Sequence, residues 1–213
     1  MKPWVSSSFT TGPVSPWAGP QLIEIDISAA NPATALPQGI LYAIGSENFT
    51  TAWANPTGGQ VEITGTALAS GAFSQLTNRA TSRIFTGSVQ GANFIWDFDA
   101  QGTGRRVRAD HLFIQHGWDS ALPRLQQFVV EVGNGSDAAS ATWAIATTVS
   151  DPNFLPNAIY SWSARLDLTP PVERARFLRI RMTGPNTWTA SSYELSISEM
   201  ELGGIIFPGS LGY

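Results

Sequence analysis

The segment Tyr193–Leu202 (YELSISEMEL) alternates polar and apolar side chains, the pattern of a β-strand with one buried and one wet face. Leu195 and Ile197 can face a core, with Met200 and Leu202 as further candidates. Upstream, Phe177, Leu178, Ile180 and Met182 form a second apolar face, broken by Arg179 and Arg181. Between the two runs, Thr183–Asn186 is dense in turn-formers and Ser191–Ser192 leads out of the loop. Two antiparallel strands joined by a loop follow. One-sided strands need a second layer to cover them, so they constrain the whole chain.

The rest of the sequence repeats this grammar. Gln21–Ser28 alternates at Ile23, Ile25 and Ile27, and further strands are expected at 61–66, 93–98, 109–117, 128–132, 143–149 and 158–168. Gly39–Gly45 is a short apolar run, and 68–83 is a loop or a helical turn. No helix longer than two or three turns is expected. Charged residues are 13% of the chain and aromatics 11%, with 20 Gly and 14 Pro, a composition that suits an all-β sandwich and excludes a charged disordered chain.

Several blocks resemble a known family. The Phe177–Met182 strand, the loop and the strand ending in Ser198-Glu199-Met200-Glu201-Leu202 are similar to the closing strands of discoidin, or coagulation-factor type C, domains. Thr183-Gly184-Pro185-Asn186 and Tyr193–Ser198 more closely resemble the discoidin-like jelly roll of a large HECT-type ubiquitin ligase and of some BTB-domain proteins. Gly39–Gly45, Trp53-Ala54-Asn55-Pro56, Asn93–Phe98 and Leu112, His116 and Gly117 match further blocks of that domain in order. The resemblance covers roughly 39–204 and implies an antiparallel discoidin-like, galactose-binding-like jelly-roll β-sandwich. Residues 21–204 are assigned to the sandwich. Residues 1–20, with Trp4, Phe9 and Trp17 among prolines, and 205–213, with Ile206 and Phe207, have no counterpart and are expected as extended N- and C-terminal arms.

Net charge is −4 and pI about 5.1, which draws the chain neither to nucleic acid nor to an anionic membrane. There is no cysteine, no signal-peptide pattern and no apolar run long enough to cross a bilayer, so synthesis in the cytoplasm without a signal peptide is expected, with a virion as a further destination. His111 and His116 lie five apart, on opposite faces of a strand, and cannot share a metal without a bulge. There is no Gly-x-Ser-x-Gly elbow, and Glu199 and Glu201 read better as solvated or hydrogen-bonded strand residues than as a catalytic pair. No catalytic residue is expected, and no enzyme.

Loop aromatics beside polar groups are the binding candidates: Trp118 with Asp119, Asn153 with Phe154, and Asn186 with Trp188. Many carbohydrate-binding members of the resembled fold hold calcium between a first loop and a Glu of the last strand. Glu199 stands in that place, but the first loop, Ser46–Thr51, lacks the usual Asp-Gly. No cofactor is expected, with calcium at Glu199 as the alternative. The favoured function is a non-enzymatic structural subunit of an oligomeric assembly, such as a virion decoration, collar or tail component, docked on its partner subunits through arms and loops. The alternative is a recognition module for cell-surface glycans.

Overall fold

The structure is a computed structural model that describes residues 23–25, 38–47, 50–117, 124–158, 160–169 and 172–209. Its strands are β1 (Ile23–Ile25), β2 (Glu62–Gly65), β3 (Leu68–Ser70), β4 (Phe85–Thr86), β5 (Asn93–Asp97), β6 (Arg106–His116), β7 (Gln127–Asn134), β8 (Thr142–Ser150), β9 (Leu166–Asp167), β10 (Phe177–Met182) and β11 (Ile197–Phe207). One short helix, α1 (Ile40–Gly45), and a 3-10 turn at Phe73–Thr77 complete the regular elements among the described residues.

Two antiparallel sheets face each other, one of four strands ordered β1-β11-β6-β9 and one of five ordered β2-β5-β10-β7-β8, with β3 and β4 as a small hairpin. This is a jelly-roll β-sandwich. The centre of the five-stranded sheet shows why. On β10, Leu178 lies opposite Trp96 and Val132, and Ile180 opposite Phe94 and Val130, so one face of three neighbouring strands is continuously apolar. Those residues are fully buried against Leu112 and Ile114 of β6 and Met200 and Leu202 of β11. The other face of β10 carries Arg179 and Arg181, which converge on the Glu131 carboxylate of β7 at 2.7 and 2.9 Å. Burial alone would push Glu131 up, but the two guanidinium hydrogen bonds hold it below the usual carboxylate range. Arg179 also lies 4.0 Å from the centre of the Trp143 ring.

β11 departs from a regular strand twice. A register shift between Ile197 and Glu199 lets Ile197, Met200 and Leu202 all enter the same core, which an unbroken alternation would forbid. A second shift, at Gly203 and Gly204 opposite His111 and Ala109, carries the strand on to Phe207. The apparent arm at 205–213 is therefore corrected over its first residues: Ile205 and Ile206 pair with Glu24 and Ile23 of β1, and Ile206 and Phe207 are buried. The expected strand at 158–168 also shrinks, to Leu166–Asp167. Its upstream part makes one bridge, Trp162 to Gln115, and the Trp162 ring covers Phe113 on the outer face of β6. The N-terminal candidates Trp4, Phe9 and Trp17 lie outside the described residues.

Gly204 is where glycine is indispensable. Its φ is +146°, and a Cβ there would sit 1.9 Å from the Arg108 carbonyl oxygen. Gly204→Ala is expected to cost about 2–4 kcal/mol in urea unfolding, whereas Gly58→Ala should cost only about 1 kcal/mol. Gly58 also has a positive φ, but open space surrounds it. Equal losses for the two variants would show that the second shift in β11 is not a tight fit.

Candidate functional site

The antiparallel registers bring the ends of β6, β8 and β10 to one end of the sandwich. Gln127 at the start of β7 pairs with Ser150 at the end of β8, Met182 pairs with Phe128, and His116 pairs with Ile197. The described segments 124–126, 151–158 and 183–196 therefore emerge together. The loop before β5 joins them, tied by the Tyr193 N–H donating to Ser88 Oγ at 2.9 Å.

Two residues ahead of β7 bind these loops into a unit. The Arg124 N–H donates to Thr187 Oγ1 at 2.9 Å, and the Thr187 N–H returns to the Arg124 carbonyl at 3.0 Å. Arg124 Nη1 donates to the Leu155 carbonyl at 3.0 Å, so one residue spans both neighbouring loops. Gln126 Nε2 donates to the carbonyls of Pro185 and Asn186, at 3.0 and 2.9 Å. Sequence reasoning passed over Arg124 and Gln126, because a polar residue in front of a strand carries no pattern of its own.

Asn186 and Trp188 divide their labour. Asn186 is buried, and its side-chain amide donates to Ser192 Oγ and the Glu194 carbonyl while its Oδ1 accepts the Trp188 N–H at 2.9 Å. It shapes the loop and has no face left for a ligand. Trp188 is 55% exposed, the most exposed large apolar side chain described. Val89, on the loop before β5, is 51% exposed. Asn153 is exposed, with its N–H donating to Asp151 Oδ1, while Phe154 is half-buried against Phe128 with ring centres 5.0 Å apart. Phe154 thus anchors its loop. Trp118 and Asp119 lie outside the described residues.

Of the two histidines, only His116 lies at this end. His116 is fully buried with Nδ1 3.4 Å from the Ala158 carbonyl, and His111 is on the opposite face of β6. His111 borders a cleft of about 230 Å³ on the four-stranded sheet, shared with Glu24, Ile25, Asp110, Arg165 and Gly204. Two of its charges are matched locally, Arg165 to Asp167 and Asp110 to Arg108.

Glu199 and Glu201 are both buried, on the outer face of β11 beneath α1 and the 3-10 turn. Glu201 Oε1 accepts the N–H groups of Leu41 and Leu202, at 2.8 and 3.0 Å, and Oε2 accepts that of Tyr42 at 3.1 Å. Glu199 Oε1 accepts the Arg79 N–H. Calcium takes about six to eight oxygen ligands. Here the Glu199 carboxylate already serves a backbone donor, and among the described residues no three His, Asp or Glu side chains converge on a metal position.

Burial pushes the Glu199 carboxyl up to about 8 and the Glu201 carboxyl up to about 7, against backbone donors that favour the charged forms. Both keep a proton in the folded state at pH values where the unfolded chain has lost it. Each therefore favours folding below its ordinary value of 4.5, and that advantage is lost as pH rises through 7 and 8. Stability measured by denaturant unfolding should decline from pH 5 to pH 8, and Glu199→Gln should make the decline shallower. A stability that rises across that window would mean that the pair is ionised in the fold.

The sequence matches no protein-family model and no curated protein. Solved structures do match the fold. One is CBM32-3 from a family 31 glycoside hydrolase of Clostridium perfringens, at 10% identity and a TM-score of 0.52, covering 68% of this chain and 91% of that one. An f-lectin (fucolectin) from striped bass (Morone saxatilis) serum matches at 16% identity and a TM-score of 0.50, over 68% of this chain and 47% of that one. The lectin domain of lectinolysin, complexed with Lewis B antigen, matches at 16% identity and a TM-score of 0.49, over 70% of this chain and 95% of that one. The chain thus shares the jelly-roll β-sandwich fold of the first two of these structures.

Proposed function

We propose that this chain is a non-catalytic carbohydrate-recognition module that binds glycan at the loop end carrying Trp188. The observation that carries the reading is the Trp188 indole, exposed on a loop whose backbone is pinned by Asn186, Thr187 and Gln126. A sugar ring presents an apolar C–H face and a fringe of hydroxyls. A rigid indole covers the first, and short polar side chains serve the second. Asn153, Thr189 and Ser191 are exposed polar groups on the same end. A pinned loop loses little further freedom when a ligand arrives, so more of the stacking energy appears as affinity.

The fold supports this reading at the level of analogy, since its solved neighbours are lectin and carbohydrate-binding domains. Glu199 and Glu201, the one carboxylate pair that the sequence offered for acid–base chemistry, are buried against backbone donors. The finer likeness to the HECT-ligase domain rests on the sequence blocks alone. Assembly through arms has less to stand on, because Ile206 and Phe207 belong to β11.

The test is a glycan-array screen with wild-type protein, followed by titration calorimetry on the best ligand. Trp188→Ala is expected to weaken binding on the order of tenfold or more, with the Tm unchanged because the ring is exposed. Trp188→Ala protein that binds as tightly as wild type would remove this end as the site, and an array without hits would return the assembly reading to the front.

A further inference from the structure

The outer face of the five-stranded sheet carries aromatic and cationic side chains on strands rather than on loops. Arg179 reaches from β10 across β7 to β8, where its guanidinium lies over the Trp143 ring. Gly133 of β7 makes room for that ring, since a Cβ there would meet the indole at 2.9 Å. Ile145, two residues from Trp143 on the same face of β8, is 54% exposed.

The two arginines share Glu131 unequally. Arg181 holds both carboxylate oxygens, through Nε and Nη2, whereas Arg179 donates only Nε. Among the described residues no acceptor meets Arg179 Nη1 or Nη2. The Glu131 side chain is 6% exposed, beneath guanidinium side chains that are 18% and 32% exposed. This face therefore turns cation outward, although the chain as a whole carries a net charge of −4. The open edge of a guanidinium takes the two oxygens of a carboxylate in one plane. Here the ring and Glu131 already hold that edge in place, so little freedom is lost on binding.

A polypeptide strand docks on a sheet through an open strand edge. β10 has β5 on one side and β7 on the other and offers no free edge. A ligand here must be read by side chains alone, which suits a rigid sugar ring that carries a carboxylate and rests its C–H face on an apolar side chain.

We propose that the outer face of the five-stranded sheet is a second saccharide site, which takes a carboxylate-bearing sugar on Arg179 with Ile145 and Trp143 as its apolar rest. The class of ligand rests on the carbohydrate reading above, but the site makes no use of the loop end that carries Trp188.

Titration calorimetry of the full chain with oligogalacturonate tests this, with a neutral galacto-oligosaccharide and polyglutamate as comparisons. Oligogalacturonate should bind, more weakly as salt is raised, and neither comparison should displace it. Ile145→Glu offers the guanidinium a carboxylate from within the chain and should weaken binding about fivefold or more, and its neutral match Ile145→Gln by less. Arg179→Gln should weaken binding at least as far as Ile145→Glu; should it fail to fold, the Ile145 pair still decides. Trp188→Ala should leave oligogalacturonate binding intact, so the two sites fail separately. No binding of oligogalacturonate, equal binding by Ile145→Glu and wild type, loss of binding with Trp188→Ala, or polyglutamate that binds as tightly would each overturn the proposal.

Discussion

The Glu201 carboxylate is the knot on which the start of the described chain depends. It accepts the N–H groups of Leu41 and Tyr42, 160 and 159 residues away, and so holds the first turn of α1 against the last strand. A helix of six residues has no stability of its own in water. Its N-cap, Gly39, offers no side-chain acceptor, and Glu201 supplies the oxygens that a capping residue would normally provide. Hydrogen bonds to a carboxyl group in such a place are each worth about 1.5–3 kcal/mol when the group is charged. Ile40, Leu41 and Ile44 then close the core edge from outside the four-stranded sheet.

Much of this fold is legible in the sequence, and the failures have physical causes. The expected strand Phe177–Met182 is β10 to the residue, because its apolar and basic positions separate cleanly. β11 misled at both ends. Residues from 205 on read as an arm, yet Gly203 and Gly204 let the strand bend past His111 and the Arg108 carbonyl and continue to Phe207. Glu199 and Glu201 read as solvated or hydrogen-bonded strand residues; they are hydrogen-bonded, but buried rather than solvated. Outward on β11 means beneath α1 and the 3-10 turn, and no local pattern carries that information.

The loop end shows the same division. Trp188 stands out in sequence as a large ring among turn-formers, and it is exposed. Its neighbour Asn186 has the same chemistry as a sugar-reading amide but spends it on Ser192, Glu194 and the Trp188 N–H. Residue type alone does not separate a ligand-reading amide from one that holds a loop. The distinction lies in partners 6 and 8 residues along the chain, which exist only once the loop has closed. Arg124 and Gln126 were invisible for the converse reason: their work is done on other loops.

β11, one of the two inner strands of the four-stranded sheet, is also synthesised after both strands it pairs with. All five strands of the opposite sheet are complete by Met182, while β11, which pairs with both β1 and β6, runs to Phe207. Until β11 has emerged from the exit tunnel, β1 has no partner strand and the apolar face of Phe94, Trp96, Leu178 and Ile180 has only the β6 half of its cover. A nascent chain in that condition presents uncovered apolar surface to chaperones and to other copies of itself, and yield during synthesis is tied to how soon β11 follows β10.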